Sequence, residues 1–326
     1  MLVELHACSD VGRVRQGNED NFLVLDLTTE RSWTGSDERD APPGGLRRFE
    51  VGGRGALLAV SDGMGGALAG DVASRMAVET VRDMLVEDEA ETRQHEVGAR
   101  DEAKRDGGVR GDEEGVPLVE AVSNATSYAN YAIHRKSVED PQCSGMGATL
   151  TAAAVSGDSV SLLQVGDSRA YVIRGGEIKL ATKDQSLVQQ LVDAKQISEQ
   201  DAETHMFRNV ILQALGAQSD LEPVVSRVRV QRGDLLLLCS DGLSGKLRAE
   251  DMRDIVAQSK GDLAAACESL VREANERGGE DNITVVLARF DGEDLPARAS
   301  DEIAVEVHEP EHQFQDFSED DTSPIP

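Results

Sequence analysis

Residues 56–63, Ala56-Leu57-Leu58-Ala59-Val60-Ser61-Asp62-Gly63, and residues 235–242, Leu235-Leu236-Leu237-Leu238-Cys239-Ser240-Asp241-Gly242, have one design. Each is a run of apolar residues, of the length of a buried strand, that stops at Ser-Asp-Gly. A third run, Leu162-Leu163-Gln164-Val165, stops at Gly166-Asp167-Ser168-Arg169. Asp281 directly precedes an alternating segment in which Ile283, Val285 and Leu287 face one way and Thr284 and Val286 the other. Glu19-Asp20 precedes Asn21-Phe22-Leu23-Val24 in the same manner. Acids therefore abut the ends of several apolar strands. A carboxylate held there is costly to desolvate unless something offsets its charge. No matching set of Lys and Arg stands at strand ends, whereas a divalent cation meets the need. Ligands that are all oxygen select hard ions such as Mg²⁺ or Mn²⁺ over zinc. A single Asp-Gly after a strand is an ordinary turn, and Asp167 with Arg169 also reads as a plain ion pair; the recurrence carries the metal reading.

Outward from these stretches, further strands are expected at 21–25, 55–60, 148–155, 159–165, 170–174, 224–230, 234–239 and 282–290. Helices are expected at 67–86, 118–136, 186–194 and 262–277. The last has a stripe of Leu263, Ala266, Cys267, Leu270, Val271 and Ala274 behind an N-cap at Asp262 or Gly261. Arg174-Gly175-Gly176-Glu177 reads as a hairpin turn. Strands cluster in hairpins without strict β-α alternation, which indicates an α+β fold with largely antiparallel sheets.

The 326 residues carry a net charge of −28 and a pI near 4.5. Duplex binding needs a basic footprint, so nucleic acid is a poor partner. No apolar run approaches the roughly 20 residues of a membrane span, and residues 1–10 lack the pattern of a signal peptide. Cys8, Cys143, Cys239 and Cys267 are far apart with no Cys-x-x-Cys pair, which argues for reduced thiols and a cytoplasmic location. Much of the acidity is local. Residues 291–326 hold twelve acids against one base, and residues 87–115 hold eleven against five. Those two segments, with the Pro42-Pro43-Gly44-Gly45 region within 28–53, are expected as solvated insertions and a disordered tail.

The ordered set of motifs is specific. Ser9-Asp10-Val11-Gly12-Arg13-Val14-Arg15-Gln16-Gly17-Asn18-Glu19-Asp20, Val60-Ser61-Asp62-Gly63-Met64-Gly65-Gly66, Gly145-Met146-Gly147-Ala148-Thr149-Leu150 and Val165-Gly166-Asp167-Ser168-Arg169-Ala170-Tyr171 come first. Gln213-Ala214-Leu215-Gly216, Cys239-Ser240-Asp241-Gly242-Leu243 and Glu280-Asp281-Asn282-Ile283-Thr284-Val285-Val286 follow. Over roughly 5–290 the chain resembles the bacterial metal-dependent serine/threonine phosphatases of the PPM, or PP2C, family. The resemblance implies a four-layer αββα sandwich, two antiparallel sheets flanked by helices, formed by residues 1–290. It implies hydrolysis of phosphoserine and phosphothreonine on proteins, reversing Ser/Thr kinases, by water that two ions of Mn²⁺ or Mg²⁺ activate. By motif position Asp62 bridges the two ions, Asp241 and Asp281 hold the first, and Glu19 and the Gly63 carbonyl serve the second. Asp167 matches the position that helps hold a weaker third ion. Arg15 matches the arginine that grips the substrate phosphate. Met64 stands where animal members have a His, and Asp184-Gln185-Ser186 where the family often reads Asp-His-Ser. Residues 195–210 match the family's mobile flap. The partners implied are phosphoprotein substrates, namely Ser/Thr kinases and their targets, met by a monomer with no membrane. Two alternatives stay open: a specialised phosphatase of an anti-sigma-factor antagonist, and an inactive PP2C-like scaffold.

Overall fold

The computed structural model describes residues 1–37, 41–65, 69–103, 117–298 and 300–308, with side chains omitted for 87–103 and 203. In chain order the strands are β1 (Leu2–Asp10), β2 (Asp20–Asp26), β3 (Arg31–Thr34), β4 (Arg48–Glu50), β5 (Ala56–Met64), β6 (Gly147–Ala148), β7 (Leu150–Ser156), β8 (Ser159–Val165), β9 (Arg169–Arg174), β10 (Glu177–Leu180), β11 (Val224–Arg229), β12 (Leu235–Cys239), β13 (Ile283–Asp291) and β14 (Glu306–His308). The helices are α1 (Ala69–Ala103), α2 (Leu118–Glu139), α3 (Leu187–Asp193), α4 (Glu199–Thr204), α5 (Asp241–Ser244), α6 (Ala249–Gln258) and α7 (Leu263–Glu276).

The strands form two antiparallel sheets. One runs β10-β9-β12-β13-β1-β4 and the other β14-β11-β8-β7-β5-β2-β3, with β6 paired to β5. The continuous apolar runs follow from burial on both faces. Period-two alternation sends Leu58, Val60, Leu236, Leu238, Val286 and Ala288 into the core between the sheets. The intervening Leu57 and Ala59 meet α1 and α2. Leu237, Cys239, Val285 and Leu287 meet α6 and α7. The result is the expected four-layer αββα sandwich. Helix α7 starts where Asp262 caps the backbone N–H groups of Ala264 and Ala265. Gly175 and Gly176 turn the β9–β10 hairpin at φ of 61° and 106°.

Three expected solvated segments differ. Residues 28–53 contribute β3 and β4 and bury Trp33, Leu46 and Phe49 in the inter-sheet core. Residues 87–103 continue α1 as helix; residues 104–115 lie outside the described residues. The chain also does not leave the fold at 291. Leu295 and Ile303 are buried between the sheets. The Arg174 guanidinium, buried against Asp234 at 2.7 Å, donates to the Glu302 carbonyl at 2.7 Å. Lys179 Nζ donates to the Ile303 carbonyl at 2.9 Å, and β14 pairs with β11. Two buried side chains and a buried guanidinium that needs acceptors outweigh the acidic composition there. Residues 309–326 lie outside the described residues.

Candidate metal and phosphate site

The acids quoted first converge on one edge of the sandwich. Asp20 at the start of β2 lies opposite Asp62 near the end of β5. Asp241 follows β12 and Asp281 precedes β13, neighbours in the other sheet. Close backbone approach makes this possible. A Cβ at Gly242 would collide with the Asn282 carbonyl, and one at Gly63 with the carbonyls of Gly70 and Glu19. The Gly63 N–H donates to the Glu19 carbonyl at 3.1 Å, so Glu19 is fastened to the strand that bears Asp62.

The electrostatics are those of crowded carboxylates. Burial, then the charges of Asp20, Asp241, Asp167 and Asp281, push Asp62 well above the usual carboxylate range. Burial, then Asp241 and Asp184, push Asp167 up to about 7. Burial and then Asp281 raise Asp241, and its hydrogen bond with Asp62 opposes the rise. Burial also raises Glu19, against the pull of Arg15. Buried Asp20 is pushed up to about 7 by desolvation, although Ser240 Oγ donates to its Oδ2 at 2.7 Å. One oxygen of Asp241 and one of Asp20 are buried with no hydrogen-bond partner.

Those two orphaned oxygens, in an all-oxygen set whose members repel one another, fit a hard divalent cation. Among the described residues no three His, Cys, Asp or Glu side chains stand at distances that would enclose an ion as placed. A guanidinium takes part of that room: Arg15 Nη2 donates to Asp281 Oδ2 at 2.9 Å, and Nη1 lies 3.8 Å from Glu19 Oε2. The structure thus sets Arg15 beside the acids. The rival ion pair of Asp167 with Arg169 is replaced by another, since Arg169 forks onto Asp184 at 2.7–3.1 Å. Where a His is common in the family, Gln185 accepts from the Gly166 N–H at 2.9 Å and so braces the turn that carries Asp167.

Asn282 was not singled out from the sequence. Its Oδ1 accepts from Glu19 N at 2.8 Å, and its Nδ2 donates to the carbonyls of Val11 and Gly17 at 2.8 and 2.9 Å. This one amide secures the loop bearing Arg15 and Glu19 to the base of β13. A polar amide at the first position of a buried strand was the available signal. Asp71 in the first turn of α1 also adds its charge beside Glu19.

The sequence model described as protein phosphatase 2C matches residues 45–287. The chain is 33% identical over 283 residues to "Serine/threonine phosphatase stp" of Listeria monocytogenes, covering 87% of this chain and 94% of the relative. It resembles the crystal structure of the Mycobacterium tuberculosis serine/threonine phosphatase PstP/Ppp with a TM-score of 0.66 at 30% identity, over 90% of this chain and all of that one. A structure of the PstP catalytic domain in complex with two manganese ions gives a TM-score of 0.64 at 30% identity, with 90% and 100% covered.

Proposed function

Because the chain belongs to the protein phosphatase 2C family, which makes it a metal-dependent protein serine/threonine phosphatase, we propose that the acids at the sandwich edge are its metal ligands and Arg15 its phosphate anchor. Asp62, Asp241, Asp281, Glu19 and the Gly63 carbonyl would hold two divalent ions, Mn²⁺ or Mg²⁺, and Asp167 would help to hold a third. When bound, such ions supply Lewis-acid activation of water and neutralise charge on the phosphoryl group. The manganese pair in the PstP structure supports this reading. The observation that carries it is the buried Asp241 oxygen with no partner, amid carboxyls that repel one another.

The chain's own residues then have distinct tasks. Arg15, 46% exposed, exchanges Asp281 for two phosphoryl oxygens and orients the phosphate through paired charge-assisted hydrogen bonds. Asn282 holds the Arg15 loop at fixed distance from Asp281. Met64 has no proton to give, so it does not protonate the departing Ser or Thr oxygen. The substrates are phosphoproteins made by Ser/Thr kinases. The test is Asp241→Asn and Asp62→Asn, with Mn²⁺ titrated calorimetrically and an aryl phosphate as substrate. We expect loss of a tight metal site and a fall in kcat of at least roughly 1,000-fold, comparable to removing a key charge-stabilising group. Turnover within a few fold of wild type at saturating metal would reject the assignment.

A further inference from the structure

Away from the carboxylates, β1 and α7 bring two thiols together. Cys8 lies on β1 opposite Val285 and packs against the buried cluster that contains Cys267 of α7, beside Glu268 and Val271 of that helix. Cys267 is fully buried and donates to the carbonyl of His6, two residues before Cys8 on β1, at 3.7 Å. Cys8 is only half-buried and lines an open cavity of about 400 Å³, with Asp10, Arg13, Glu268 and Arg272 around it. A small oxidant in that cavity reaches Cys8 and not Cys267. The other thiols lack both features: Cys239 is fully buried between sheet and helices, and buried Cys143 faces Asp140 at 3.6 Å.

We propose that Cys8 and Cys267 form a peroxide-reactive dithiol, in which Cys8 is oxidised first and Cys267 closes a disulfide. The neighbouring Cys267, then His6, hold the Cys8 thiol below its ordinary range against the opposing effects of burial and Glu268. The neighbouring Cys8 and burial push Cys267 well up. The cavity wall carries Arg13 and Arg272 together with Asp10 and Glu268. The Cys8 thiolate attacks one oxygen of hydrogen peroxide: the S–O bond forms, the O–O bond breaks, and hydroxide leaves with the electron pair. Sulfur loses two electrons and the peroxide gains them, giving a sulfenic acid. Cys267 sulfur then attacks the Cys8 sulfur. The S–S bond forms, the S–O bond breaks, and the oxygen leaves as water with the Cys267 proton. The bridge ties α7 to β1 just before Asp10, whose Oδ1 already accepts from Gly12 N at 2.8 Å and from Asn275 Nδ2 of α7 at 3.0 Å.

The full-length, Mg²⁺-loaded protein is exposed to a small excess of hydrogen peroxide, alkylated, digested and mapped by mass spectrometry. The expected product is one Cys8–Cys267 cross-linked peptide that dithiothreitol reverses. Cys267→Ser should leave Cys8 as a sulfenic acid that a 1,3-diketone labels, and Cys8→Ser should leave Cys267 unoxidised at the same dose. Oxidation of Cys143 or Cys239 as fast as Cys8 would overturn the proposal. So would a wild-type protein that accumulates Cys8 sulfenic acid without the bridge.

Discussion

Asn282 shows how much one side chain arranges. It is 2% exposed and satisfies three backbone groups of the Arg15 loop. Replacing it with Ala orphans those groups, at a cost on the order of 3 kcal/mol. Loosening the loop should also lower kcat/KM roughly 10–100-fold, the usual penalty for a small misplacement of a binding group. Urea melts and phosphopeptide kinetics on Asn282→Ala check both; an active, undiminished variant would place the loop under other control. Arg15→Ala should act differently. On the proposed assignment it removes a phosphate anchor worth on the order of 2–4 kcal/mol through charge-assisted bonds, so kcat/KM should fall while metal affinity, measured by calorimetry, should not. A variant that loses its metal instead would assign Arg15 to holding the acids in place. That Asp62, Asp241 and Asp281 come together was legible in the sequence because each stands at one end of an apolar run. The tasks of Asn282 and of Ser240 were not, because their partners, Val11, Gly17 and Asp20, are distant in the chain and meet them only when the two sheets stack.

In segment 292–308, composition and structure disagree most. Its acids suggest a solvated tail, yet Ile303 is 5% exposed in the inter-sheet core, and the Glu302 carbonyl completes the hydrogen bonding of buried Arg174. Deleting 297–326 exposes that cavity and strips that acceptor. We expect a loss of roughly 3–6 kcal/mol, combining a deleted buried aliphatic side chain with an unsatisfied guanidinium N–H. Ile303→Ala alone should cost about 2–4 kcal/mol. Both contacts lie at the Arg174 end of β9, whereas the acids lie at its Arg169 end, paired with Cys239. Below the melting transition, aryl-phosphate kcat should therefore hold within a few fold; denaturant unfolding beside kinetics tests the pair of expectations. The same cause obscured β3 and β4: the Pro42-Pro43-Gly44-Gly45 turn dominated the reading of a stretch whose anchors, Trp33, Leu46 and Phe49, are three scattered residues. Residues 87–103 read as loop from their charge, although Glu, Arg and Ala are strong helix formers. The long apolar strands were legible because burial on both faces leaves no polar interruption.

At the scale of the molecule, the acid cluster makes stability depend on pH and on metal. Asp20 and Asp167 sit at about 7, and Asp62 well above its ordinary value, against 3.8 for an unperturbed Asp. Between those limits the folded state binds more protons than the unfolded one, so stability is greatest at the acidic side and falls as pH rises. Chelator-treated protein should accordingly melt higher near pH 5.5 than near pH 7.5, and saturating Mg²⁺ or Asp62→Asn should shrink that difference. A melting temperature that climbs with pH in the chelated protein would contradict the cluster. The topology also fixes an order in time. Strand β1 pairs along its whole length with β13, Leu2 opposite Asp291. At roughly 5–20 residues per second, a ribosome finishes the second strand roughly 15–60 s after the first. During that interval, among the described residues, β1 has only the three residue pairs of β4 as a neighbour in its sheet. Glu19 likewise waits for Asp281. A nascent chain halted before β13 therefore lacks both the middle of one sheet and Asp281, and the proposed metal site can assemble only after that strand is made.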